Sequence, residues 1–316
     1  MEILELLLPI FAIIVTGMIF GHFRILPEGA GDVLIQFAFW VAIPALLFLI
    51  ISQESIDRLL NPAFYVSFGG GMLIIFLIIL FGALYWRRMP LGDATVVTLI
   101  SVESNTAFVA LPILHAAFGH KAVLPAAIAT VIAVVFLLIT VVLLEKSAAS
   151  AVGREASGLS NVRKALLNPI VFSTLLGVAY AVTGWELPSI VEQFLSPLSK
   201  AVTPCALFAI GMSIRLGDLR VGMTTIVFAS IVKLVAVPAV ILLLALLVGL
   251  EPIMTIAAVV CAAVPTAKNA FILASQYNVS KELAAATISV TTAASTLTLI
   301  IWLVVLAHIY PGTVPT

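Results

Sequence analysis

The chain has 316 residues, of which 63% are hydrophobic and only 9% charged. A soluble domain is about 45–50% apolar and about 25% charged, so this composition, with a mean hydropathy of +1.26, excludes a soluble globular enzyme and a disordered chain. Fifteen basic residues balance fifteen acidic ones, which leaves no basic surface for nucleic acid. What remains is an all-α polytopic membrane protein, because the apolar runs lack the alternation of barrel strands.

A spanning helix needs roughly 20 apolar residues. Ten such segments are predicted: Leu4–Phe23, Asp32–Ile51, Ala63–Trp86, Ala94–Phe118, Ala122–Leu144, Leu166–Thr183, Val191–Ile214, Met223–Leu250, Pro252–Gln276 and Leu283–Ile309. The first begins Met1-Glu2-Ile3-Leu4-Glu5, acidic where a secretory signal is basic. Cys205 and Cys261 lie apart in apolar runs, too few for a disulfide framework or a zinc site, and no metal or cofactor is expected. The connections are short except for the hydrophilic stretch Glu145–Ala165.

Basic residues collect on the cytoplasmic side of a membrane. Ten of them fall in the odd-numbered loops, at Arg24, Arg87, Arg88, Lys146, Arg154, Arg163, Lys164, Arg215, Arg220 and Lys281. The even-numbered loops and the termini carry two, Arg58 and Lys121. This split predicts a cytoplasmic central loop and both termini outside the cell.

The chain also resembles itself at an offset near 160. Leu6-Leu7-Leu8-Pro9-Ile10 matches Leu166-Leu167-Asn168-Pro169-Ile170, Gly17 matches Gly177, and Pro44-Ala45-Leu46-Leu47-Phe48 matches Pro204-Cys205-Ala206-Leu207-Phe208. Thr106-Ala107-Phe108 matches Asn269-Ala270-Phe271 slightly out of register. Five helices per half is an odd number, so the second half enters from the opposite face and the repeats are inverted. Inverted repeats are a signature of secondary transporters, whose site lies at the midplane where broken helices meet. A duplicated bundle without a pathway is the plainer reading, but it does not account for the polar residues that follow.

Segment four contains Glu103-Ser104-Asn105-Thr106 near its centre and Pro112 beyond. Proline removes a backbone donor and disfavours helix before it, so unwound backbone is expected here, which lipid admits only where it is buried or lines a cavity. Segment nine, its repeat mate, reads Val264-Pro265-Thr266-Ala267-Lys268-Asn269. Two broken helices crossing at these residues would direct their N-termini, with unpaired N–H groups and positive dipole ends, at a common point suited to a carboxylate.

Lys268 adds a full charge that needs an anion. Glu103 is one candidate, whether as a releasable partner or as a permanent ion pair that only holds the crossing together; the substrate is the other. Glu103 is also a candidate proton carrier or sodium ligand. Asn105 and Asn269 suit either capping of the broken ends or ligand contact. Lys233, near mid-depth in segment eight, either serves the same site or snorkels to the interface. His115 is read as a packing residue or a coupling residue, and Trp302, His308 and Tyr310 as interfacial anchors. Gly69-Gly70-Gly71 is read as a close-packing site.

These features together resemble the auxin efflux carrier family of membrane transporters, and the short central loop is similar to a bacterial member. The resemblance spans nearly the whole chain. It rests on Ile43-Pro44-Ala45-Leu46-Leu47-Phe48, on Asn105-Thr106 with Leu111-Pro112, on Asn168-Pro169-Ile170, and on Pro265 with Phe271-Ile272-Leu273-Ala274-Ser275-Gln276-Tyr277-Asn278-Val279. It implies a fold of ten helices in two inverted repeats, related to bile-acid symporters and sodium/proton antiporters, with helices four and nine crossing at their prolines. It further implies scaffold helices within residues 1–60 and 166–218, including Pro44 and Pro204, that often form a homodimer. Transport helices would occupy 61–145 and 219–316, joined by the cytoplasmic loop 146–165. The implied activity is elevator-type carriage of a small organic anion, auxin-like or malonate-like, through the inner membrane, with a proton or sodium ion as the candidate coupling ion. Ser104, Asn105, Thr106, Pro112, Pro265, Thr266, Lys268 and Asn269 are the expected substrate contacts. Glu103, Lys268, Lys233 and His115 are the expected coupling or charge-paired residues. Lys268 departs from the plant pattern, and a fixed cation there favours a smaller or more highly charged anion than auxin, or replaces a coupling cation.

A passive channel would want polar lining along several helices, whereas polarity here is confined to one layer. An intramembrane metalloprotease would need a His-Glu-x-x-His run, which is absent; a Ser–Lys dyad is not strictly ruled out, since Thr266 and Ser104 lie near Lys268 in the expected crossing. A carrier fits these residues best.

Overall fold

The computed structural model describes residues 2–27, 29–54, 60–152, 169–213 and 222–313. Arg58, Arg154, Arg163, Lys164, Asn168, Arg215 and Arg220 lie outside the described residues, as does most of the predicted central loop.

The described chain is helical. In order it forms α1 (Glu2–His22), α2 (Ala30–Ile51), α3 (Pro62–Trp86), the half-helices α4a (Leu91–Val102) and α4b (Thr106–Phe118), and α5 (Val123–Val152). There follow α6 (Pro169–Thr183), α7 (Ser189–Lys200, resuming as Val202–Ser213), α8 (Met223–Leu247), the half-helices α9a (Pro252–Ala263) and α9b (Asn269–Gln276), and α10 (Lys281–Ile309). Among the described residues six helical runs are long and apolar enough to cross a membrane, and shorter apolar helices accompany them. The protein is therefore a multi-pass membrane protein.

The helices α2, α4b and α8 widen to π-helical turns at Ala38–Ala42, Thr106–Ala110 and Val232–Ala236. Each of these wide turns is followed at once by a proline near the start of the next α-helical stretch, Pro44, Pro112 and Pro238. Proline cannot donate to the carbonyl four residues back and clashes with it, which favours an opened preceding turn, although α3 opens in the same way at Tyr65–Gly69 and Gly82–Trp86 without such a proline. The carbonyl released by Pro238 belongs to Leu234, and it accepts a 2.9 Å hydrogen bond from Trp302 Nε1. Trp302, expected as an interfacial anchor, is thus partly buried and satisfies a helix backbone. Pro112 likewise does not unwind its helix as expected. The unwound stretch lies upstream, at Glu103–Asn105, where Glu103 is extended (φ −61°, ψ 125°).

The packing divides along the chain. α1 packs on α7, while α2 packs on both α6 and α7. α3 packs on α4a and α8, α4a on α5, α8 on α9a, and α9a on α10. Contacts recur when a helix is exchanged for the one five places away: α1 with α7 corresponds to α6 with α2, α3 with α4a to α8 with α9a, and α4a with α10 to α9a with α5.

Small residues set the closest approaches. A Cβ on Gly17 would stand 2.1 Å from the carbonyl oxygen of Phe208, and one on Gly211 would stand 2.0 Å from that of Ile14. The α1–α7 pair is therefore in backbone contact, the arrangement small residues permit between membrane helices. Of the three consecutive glycines in α3, it is Gly71 that makes the close approach, 2.6 Å from the Ile241 side chain, whereas Gly69 and Gly70 have ordinary spacing.

Candidate functional site

Where α4 and α9 are interrupted, the two extended strands cross. Ser104 and Thr266 form an antiparallel β-bridge, and Asn105 N–H donates to the Pro265 carbonyl at 3.0 Å. This pairing satisfies backbone groups that neither half-helix can use, a requirement in a membrane interior.

The C-terminal carbonyls of the upstream half-helices have no intrahelical donors. Side chains from elsewhere supply them. Thr266 Oγ1 donates to the Ile100 carbonyl of α4a at 2.8 Å, and the Lys233 ammonium donates to the Ala262 carbonyl of α9a. Thr291 Oγ1 in α10 accepts from Thr266 N–H at 3.3 Å. A lysine at the negative end of α9a is also favoured by the helix dipole.

Lys233 has no exposed surface and Glu103 retains 4%, so Lys233 does not snorkel. Both charged residues are buried beside the crossing. Among the described residues neither Lys268 nor Lys233 forms an ion pair with a carboxylate, so the expected Glu103–Lys268 pair is not formed. That pairing was expected because Glu103 and Lys268 are near-counterparts in the two halves; a third helix, α8, brings its own cation, Lys233, to the crossing.

A cavity of about 40 Å³ opens beside the crossing, lined by Asn105, Pro265, Thr266 and Lys268, with Ile210 of α7 and Ser289 and Thr292 of α10 among its other walls. One water needs about 10–15 Å³ on this measure, so the space suits a group of carboxylate size. Lys268 is half-buried there and occupies the N-cap position of α9b. A cation at the positive end of a helix is disfavoured unless an anion shares the position. Some N–H groups expected to be unpaired are engaged: Ala270 N–H donates to Ala267 and Phe271 N–H to Lys268. Among the described wall residues the Lys268 ammonium is the one charged group.

The other expected residues are dispersed. Ser104 and Thr106 are buried in the crossing, and Asn269 is exposed one position past Lys268. Asn105 sits at the start of α4b, but its side chain makes no capping hydrogen bond. Pro112 is buried within α4b, away from the cavity walls. His115 lies further along α4b, its ring 5.5 Å from that of His120. Pro44 follows the wide turn of α2, and Pro204 lines an open apolar groove with Thr16 and Phe208. Sequence reasoning missed Ile210, Ser289 and Thr292. The two hydroxyl residues of α10 carried a weak signal, being polar positions in an apolar span.

Comparison with known proteins gives the family of the chain. Residues 2–303 match the family described as membrane transport protein. A protein of Rhizobium meliloti (strain 1021), named as a candidate malonate transporter, is 30% identical over 94% of this chain and 93% of its own length. An uncharacterised transporter of Methanocaldococcus jannaschii is 24% identical over 95% of this chain and 97% of its own. Auxin efflux carrier component 7 of Arabidopsis thaliana is 33% identical over 37% of this chain and 20% of its own. The chain belongs to the family of membrane transport proteins that includes the auxin efflux carriers.

Proposed function

We propose that this transporter is a secondary carrier for a small organic anion of the malonate type, bound at the α4–α9 crossing. The observation that carries the reading is Lys268, a half-buried cation at a helix N-terminus, facing a cavity formed where the two interruptions meet. The cavity, of about 40 Å³, favours a short carboxylate over an indole-bearing auxin. The name of the Rhizobium relative points the same way.

The helices form ten spans in two inverted repeats, a reading supported by the recurrence of contacts five helices apart. α1, α2, α6 and α7 make the scaffold, through which two copies associate, and the remaining helices make the transport unit that moves past it. Packing of α1 on α7 and of α2 on α6 supports the division. Both termini lie outside the inner membrane and the central loop lies in the cytoplasm. The buried Glu103–Lys233 pair is the candidate seat of coupling, whether by proton or by replacing a coupling cation.

Binding tests the reading directly. Malonate added to the purified protein raises its midpoint of thermal unfolding in a saturable way, as a ligand of the folded state does; indole acetate does so less. The Lys268→Ala protein keeps its fold and loses the malonate effect. A wild-type midpoint unmoved by malonate and related carboxylates up to millimolar concentration would remove the anion assignment.

A further inference from the structure

The cavity beside the crossing has polar walls from different helices. Lys268 stands at the start of α9b, while Ser289 and Thr292, three residues apart and so on one face of α10, supply a second wall. α10 is held in place there by Thr291, the neighbour of Thr292, whose Oγ1 accepts the Thr266 N–H at 3.3 Å. The α10 wall has a definite polarity. Ser289 Oγ donates to the Ala285 carbonyl at 3.1 Å, and Thr292 Oγ1 donates to the Ile288 carbonyl at 2.6 Å. A hydroxyl has one proton and two lone pairs. Both side chains have given their protons to their own helix, so what they offer the cavity is lone pairs. Thr266 Oγ1 is committed in the same way, to the Ile100 carbonyl. The Asn105 amide can donate or accept and does not discriminate. Lys268 alone offers a charge, and it offers donors.

One ammonium balances one carboxylate. A second carboxylate on the same ligand would enter without a cation and meet lone pairs, and a buried charge left unpaired is costly. The cavity measures about 40 Å³, a few waters at about 10–15 Å³ each. A ligand that reaches Lys268 therefore has little room to keep its other end clear of α10.

We propose that Ser289 and Thr292 are specificity-determining contacts that accept a hydrogen bond from the far end of the ligand, and that the carrier takes a small dicarboxylate in its singly protonated form. The inference rests on the anion-carrier reading and names the protonation state in which that site takes its ligand. The carboxylate end pairs with Lys268, and the carboxylic acid end donates its O–H to the α10 hydroxyl oxygens. One proton then crosses with each dicarboxylate, carried on the ligand. No wall residue has to titrate, and Glu103 is not among the described walls.

Two singly charged analogues separate donor from charge. Malonamate carries amide N–H donors where hydrogen malonate carries its acid O–H; monomethyl malonate carries no donor there. Uptake of labelled malonate into proteoliposomes, at equal pH inside and out, is measured for wild type, Thr292→Val, Thr292→Ser and Ser289→Ala, with each analogue as inhibitor. For wild type the KM for total malonate rises about tenfold per pH unit between about pH 7 and 9, as the singly protonated form is titrated away. The Ki of malonamate stays flat over the same range, whereas a protein group that had to be protonated would raise both constants together. Monomethyl malonate inhibits at least about tenfold more weakly than malonamate. That difference shrinks to about threefold or less in Thr292→Val and is kept in Thr292→Ser; Ser289→Ala reduces it through a separate substitution, and the wild-type inhibitor series needs no variant at all.

A KM for total malonate that is constant or falls with rising pH shows that the dianion is taken, and overturns the inference alone. So does a malonamate Ki that rises in parallel with KM, or a monomethyl ester that inhibits as well as malonamate. Full discrimination retained in both Thr292→Val and Ser289→Ala overturns the assignment to α10. A wild-type protein that moves no malonate at any pH removes the carrier reading, and this inference with it.

Discussion

Thr266 Oγ1 donates to the Ile100 carbonyl at 2.8 Å, so a side chain of one interrupted helix closes the exposed end of the other. The bond joins residues 166 positions apart and fixes the crossing independently of the β-bridge beside it. Thr266→Val keeps the volume and leaves the carbonyl without its donor. A loss of about 1–2 kcal/mol is expected, read as a lower thermal midpoint in detergent, and Thr266→Ser recovers most of it. Equal stability of the valine and serine proteins would show that the bond contributes nothing.

Lys233 and Glu103 are predicted to be strongly coupled. Lys233→Met strands a buried carboxylate and an uncapped helix end, at a cost of about 3–5 kcal/mol. Adding Glu103→Gln removes the stranded charge, so the double variant is more stable than Lys233→Met alone. A double-variant cycle on thermal or denaturant stability checks this. Additive losses would mean that the two charges do not interact.

The glycines separate into those that tolerate a side chain and those that do not. Gly17→Ala and Gly211→Ala each drive a methyl into a backbone carbonyl of the facing helix, and a loss of about 1–3 kcal/mol or more is expected from the overpacking. Gly71→Ala meets the Ile241 side chain at 2.6 Å and its backbone only at 3.4 Å, and costs less than the two carbonyl clashes. A methyl on Gly82 would meet no atom within 4 Å, and the residue is helical, so Gly82→Ala is neutral or stabilising by up to about 1 kcal/mol. The order of the four midpoints is the test.

Trp302 and Pro238 form a third linked pair. Trp302→Phe removes the donor to Leu234 and is expected to cost about 1 kcal/mol or more. In a Pro238→Ala background the backbone N–H is restored to that carbonyl, and the same change costs less. Identical penalties in the two backgrounds would separate the indole from the proline.

Much of the architecture was legible because membrane burial is written in composition. Apolar runs such as Pro62–Trp86 and Met223–Leu247 announce themselves, and the cluster Glu103–Thr106 marked the break in α4 because polar residues at mid-depth require unusual backbone. Prolines were less legible. Pro112, Pro44 and Pro238 carry the same chemistry, yet each produces a wide turn inside a continuing helix, a response that depends on donors such as Trp302 arriving from another helix. The partner of Lys233 was hidden for the same reason: nothing local to it indicates the Ala262 carbonyl, since packing of distant helices brings the two together.

Carriage of a small organic anion by Lys268 at the crossing is the proposal on which the others depend. The most direct measurement is uptake of labelled malonate into proteoliposomes of wild type and Lys268→Ala, side by side. Saturable uptake by wild type is expected, with at least a tenfold lower kcat/KM in the variant, about 1.4 kcal/mol of lost binding or more. Saturable uptake by Lys268→Ala at the wild-type KM would contradict it.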